Sequence, residues 1–140
     1  MKGYKGFLSV VLLAVLFVSS AYPQMYPIKD VTTNKYALQN LVAGIQSDNT
    51  GLKRSSIYFA GKYRIAETED VLIAQLKEEK DPSTRILIAL VLYEMGSEKG
   101  LLEVKNLSLN DENAKVRRMS LQIYNEYLVN DAPGTAFIGE

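Results

Sequence analysis

Residues 81–96 read DPSTRILIALVLYEMG, and this stretch limits what the rest of the chain can fold into. Asp81 is a helix-capping residue type, and Pro82 follows at the first helical position, where its missing N–H costs nothing. From Ile86 to Tyr93 no side chain is charged or carries an amide, and Gly96 supplies a stop. A helix apolar on every side is expected to be buried on every side. Eight or so apolar residues fall far short of the roughly 20 that cross a bilayer. The stretch therefore predicts the central helix of a packed domain, with Leu90 and Tyr93 fully buried.

Apolar spacing places five further helices around it. The first covers about 34–46, with Leu38, Leu41, Val42 and Ile45 on one face. A turn at 47–51 leads to a helix over about 52–64. The next, about 67–80, has an acidic first turn (Glu67, Glu69, Asp70) and a basic end (Lys77, Lys80), which matches the helix dipole. Ser97 caps a helix over about 98–107, and Asp111 opens the last, about 114–129. Residues 22–33 contain two prolines and no helical period, so they read as an extended linker. The tail, 130–140, carries Pro133-Gly134 and then the apolar pair Phe137-Ile138.

The N-terminus reads as a separate object. Lys2 and Lys5 precede an apolar run over 7–18, and Ser19-Ser20-Ala21 forms a small-residue exit. This is the layout of a secretory signal peptide at 1–21, cleaved after Ala21, with an uncleaved anchor as the alternative. A secreted or periplasmic protein is expected, touching a membrane only transiently through that peptide. Without Lys2 and Lys5, fourteen basic residues face sixteen acidic ones, which gives no reason to expect a nucleic-acid partner. The chain has neither cysteine nor histidine. Disulfides and thiol chemistry are thereby removed, and so is the commonest general base and metal ligand. Glu67, Glu69 and Asp70 read as a helix cap rather than an acidic site. The turn at 47–51 lacks the spacing and terminal glutamate of a calcium loop. The expectation is a protein with no catalysis, metal or cofactor.

Six helices in three hairpins suggest a repeat. Setting Ser47, Asp81 and Asp111 in register, at spacings of 34 and 30, aligns Leu52 with Ile86 and Val116, and Phe59 with Tyr93 and Ile123. The outer copies agree further: Asn49 matches Asn113, Lys53-Arg54 matches Arg117-Arg118, and Tyr63 matches Tyr127. Through Asp111-Glu-Asn-Ala-Lys-Val116-Arg117, an Asp-x4-Val-Arg opening of a second helix, the chain resembles the HEAT-repeat (armadillo-like) family over about 34–129. Asp81-Pro82 with Ile86 is a partial second copy, and Ser47 and Leu87 depart from the pattern. The resemblance implies an all-α fold, a short α-solenoid of three hairpins, used as a protein-interaction scaffold whose second helices line a gripping face.

On that register the second helices share a core stripe: Leu52, Ser56, Phe59 and Tyr63; Ile86, Leu90 and Tyr93; Val116, Ser120, Ile123 and Tyr127. Their opposite faces differ. Arg54 and Tyr58 on the first, and Arg118 and Gln122 on the third, flank Ile88, Leu92 and Met95 on the second. An exposed apolar strip of that kind marks a binding site. The expected partner is an unidentified protein held by those seven residues. The alternative use is closure of a homo-oligomer. The bland reading makes Ile88, Leu92 and Met95 core, covered by Phe137-Ile138 or by residues 22–28.

Overall fold

The capping signals around the central stretch work as read. The Asp81 carboxylate accepts the Thr84 N–H at 2.8 Å and the Thr84 hydroxyl at 2.7 Å. At the other end Gly96 adopts φ 70°, the left-handed conformation glycine reaches without cost, and its N–H returns to the carbonyl of Tyr93 at 2.9 Å. The computed structural model describes residues 24–130. Among them the fold is all helical: α1 (Ile28–Val31), α2 (Ala37–Ile45), α3 (Thr50–Lys62), a 3-10 turn (Ala66–Thr68), α4 (Glu69–Glu78), α5 (Pro82–Met95), α6 (Glu98–Asn110) and α7 (Ala114–Asn130). Residues 1–21, read above as signal peptide, and 131–140 of the tail read as 130–140 lie outside the described residues.

Helix α5 packs on α3 and on α7, with α4 and α6 also against it. Ile88, Leu92 and Met95 are 0 % exposed and form part of the core with Ile45, Ile57, Leu72, Leu101 and Val104. Their reading as an exposed strip is thus overturned. So is the expectation that a helix without polar residues is buried all round: Leu90 is 40 % exposed and Tyr93 only half-buried. Leu52, Phe59 and Tyr63, placed on the shared core stripe, are exposed as well.

One cause accounts for the corrections on α5. The capping residues of α3, α5 and α7 are Asn49, Asp81 and Asn113, thirty-two residues apart each time. Asn49 accepts the Leu52 N–H at 2.9 Å, and Asn113 accepts those of Lys115 and Val116 at 2.9 and 3.2 Å. Two residues before each cap, Ser47, Glu79 and Asp111 accept the N–H of the cap residue itself, at 3.1, 2.9 and 2.8 Å. Asp81 therefore corresponds to Asn49 and Asn113, not to Ser47 and Asp111. Setting Asp81 beside Ser47 and Asp111 shifts α5 by two residues, which rotates a helix by about 200° and exchanges its inner and outer faces.

The same interval governs the charges. Lys53, Arg85 and Arg117 stand at matching places. Lys53 Nζ lies 2.9 Å from Glu79, twenty-six residues on, and Arg85 Nε lies 2.9 Å from Asp111, again twenty-six residues on. Arg85 Nη1 also donates to the carbonyls of Glu79 and Lys80, both at 3.0 Å. Arg117 Nη1 repeats this with the carbonyls of Asp111 and Glu112, at 2.7 and 3.0 Å. Burial pushes the Glu79 carboxyl upward. The Asp81 N–H, the Lys53 ammonium and the Gln75 amide outweigh it and hold the group below its ordinary value.

The described part of the expected linker is not extended throughout. Tyr26 makes a parallel bridge to Ile65, donating to the Arg64 carbonyl at 2.7 Å and accepting from the Ala66 N–H at 2.9 Å. Both carboxylate oxygens of Glu67 accept the Ile28 N–H at 2.9 Å where α1 begins. Met25, Ile28 and Val31 pack on the core, so this segment is fastened to the domain.

Candidate partner-binding cleft

Helices α3 and α5 pack tightly at Gly61. A Cβ there would lie 2.8 and 2.9 Å from the two methyl groups of Val91, nearer than real side chains come. Beside this contact lies an open cleft of about 480 Å³. Its apolar lining comes from Tyr58, Leu87, Leu90 and Val91, and its charged rim from Lys62, Arg64 and Glu94.

Arg64 anchors the rim. It has φ 47°, a left-handed conformation that costs an ordinary residue roughly 1–2 kcal/mol. Hydrogen bonds hold it there from three directions. Its N–H donates to the Gly61 carbonyl at 3.0 Å, and its carbonyl accepts from Tyr26. Its Nε donates to the Glu94 carbonyl at 2.7 Å, satisfying one of the last-turn carbonyls of α5 that lack a helical partner. The guanidinium is therefore fixed at the cleft mouth rather than free to swing.

The 32-residue register arranges the exposed side of the three long helices in rows. Tyr58, Leu90 and Gln122 form one row, all exposed, with Tyr58 at 59 %. Arg54, Ile86 and Arg118 form a second. Of the seven residues expected to contact a partner, Tyr58 lines the cleft, and Arg118 and Gln122 are exposed on α7. Arg54 lies 3.6 Å from Asp81 in a half-exposed ion pair, an arrangement that contributes little. The Asp81 carboxyl is held below its ordinary value chiefly by the Thr84 hydroxyl. Ile88, Leu92 and Met95 lie beneath this surface and cannot touch a partner.

Sequence reasoning missed Leu87, Leu90 and Arg64. The available signal was the even spacing of Lys53, Arg85 and Arg117, which gives the register without reference to the caps. Chemically the cleft offers an apolar floor, a phenol, two cationic side chains and the Glu94 carboxylate. It suits an apolar side chain flanked by a carboxylate. No group of three His, Cys, Asp or Glu residues able to hold a metal ion occurs among the described residues. No family model, curated protein or solved structure matches this chain.

Proposed function

We propose that the protein is an exported, non-catalytic interaction module of HEAT-like repeats. Its helices form three hairpins in a short solenoid, and the cleft between α3 and α5 grips an extended segment of a partner protein. The observation that carries this reading is the cleft itself: an apolar floor open to water at Tyr58 and Leu90, edged by Lys62 and Arg64. Exposed apolar surface rimmed by polar groups is the usual mark of a binding site. The recurring cap turn and the two ion pairs at one interval support the repeat architecture. Export rests on the layout of residues 1–21, and sequencing of native protein should find an N-terminus at or near Tyr22. A start at Met1 would overturn that part of the reading.

The test places a photo-crosslinking side chain at position 58 or 90, and at Lys105 as a control distant in sequence and exposed. In the native envelope, positions 58 and 90 should yield one shared adduct that position 105 does not. Leu90→Asp should remove the adduct made from position 58 while leaving the melting temperature nearly unchanged, since Leu90 is already part-exposed. The same adducts from all three positions would sink the assignment of this cleft.

A further inference from the structure

Lys62 and Arg64 line a second cleft as well as the first. It has a volume of about 330 Å³, and its remaining walls are Tyr26, Asp30, Val31 and Tyr63. The bridge from Tyr26 to Ile65 and the Glu67 carboxylate on the Ile28 N–H hold the 26–31 wall beside Arg64. Tyr26 and Tyr63 are both exposed, so this cleft too offers apolar surface to water. Because the same two side chains line both clefts, the clefts adjoin across a pair of cations.

Charge decides what fits there. Among the described residues neither Lys62 nor Arg64 makes an ion pair. Arg64 spends its Nε on the Glu94 carbonyl, which fixes the side chain and leaves its two Nη groups for a ligand. A carboxylate takes a guanidinium through two parallel N–H bonds, stronger than bonds between neutral groups. Each cleft also holds one carboxylate of its own, Glu94 in the first and Asp30 in the second. A negative charge is therefore favoured at the shared pair and opposed within either cleft. In an extended strand alternate side chains share a face. A segment that sets an apolar side chain in each cleft and a carboxylate between them must carry the three at alternate positions.

From this arrangement we infer that the two clefts act as one site for an extended protein segment of the form apolar-x-acid-x-apolar. Its carboxylate pairs with Arg64 and Lys62, one apolar side chain lies on Leu87 and Leu90, and the other lies on Tyr26 and Val31. The inference rests on the reading of the first cleft as partner-binding and adds a second anchor to it. The probe is a capped heptapeptide, Ser-Leu-Ser-Asp-Ser-Leu-Ser, titrated into the 15N-enriched protein. Amide shifts over residues 26–31 and 87–91 should move together with one dissociation constant. Exchanging the aspartate for lysine, or moving it next to either leucine, should weaken binding roughly tenfold. Replacing one leucine by serine should cost about as much and confine the shifts to one cleft. Arg64→Gln should weaken binding roughly tenfold. Lys62→Gln, at an exposed position, should weaken it roughly threefold and serves if the Arg64 variant does not fold. Shifts at 87–91 alone would overturn the joint site and leave the first cleft standing. Equal binding of the lysine peptide, or of one with both leucines replaced by serine, would overturn it as well. If no peptide moves either region the inference falls, and the adducts from positions 58 and 90 still judge the first cleft by themselves.

Discussion

Leu90 and Leu92 are two residues apart, and their environments are opposite. Leu92 is fully buried between helices, so Leu92→Ala should cost about 2–5 kcal/mol, the range for a large-to-small change that leaves a cavity. Leu90→Ala, at a part-exposed site, should cost less than about 1 kcal/mol. Urea denaturation of both variants checks the pair, and equal losses would contradict the placement of the two faces. Ser120 offers a contrary case. Its hydroxyl is buried, with no hydrogen-bond partner among the described residues. A buried polar atom left unpaired is costly, so Ser120→Ala should stabilise the fold by about 1 kcal/mol. Composition alone could not have separated these residues. Ile86–Tyr93 is apolar throughout and has no polar face from which to read an orientation.

At the scale of helices, the sequence was legible where a stretch carried its own punctuation. Asp81-Pro82, Gly96 and Ser97 bound their helices as expected, and all six predicted helices exist. What could not be read from local signals was the phase of one helix against another. Asp81 and Asp111 are the same residue type, each at the opening of a helix, yet one caps the helix and the other braces the cap from two residues before it. Matching them by type slipped the middle copy and turned a buried stripe into an apparent binding surface. The cleft was illegible for the same reason, because it depends on which side of α5 meets Gly61. The ion pairs between copies now carry the register and can be tested. Arg85→Met would strand the Asp111 carboxylate, whose side chain is 4 % exposed, and should cost about 3–5 kcal/mol in denaturant unfolding. Asn113→Ala, which removes only a cap, should cost about 1 kcal/mol.

For the whole molecule, two carboxylates tie stability to pH. Glu79 and Asp81 are both held below their ordinary values of 4.5 and 3.8. A group whose pKa is lowered by folding stabilises the folded state fully above its ordinary value, and that contribution disappears as pH falls through the lowered one. The urea midpoint should therefore be flat near neutrality and drop below about pH 4.5, and Glu79→Gln should make the drop shallower. Gly61 has a consequence at this scale too. The missing methyl group there lets Val91 of α5 sit against the backbone of α3 at the wall of the cleft. Any side chain larger than hydrogen must push these two helices apart, so Gly61→Ala should cost about 1–3 kcal/mol in urea denaturation and reshape the cleft in the same step.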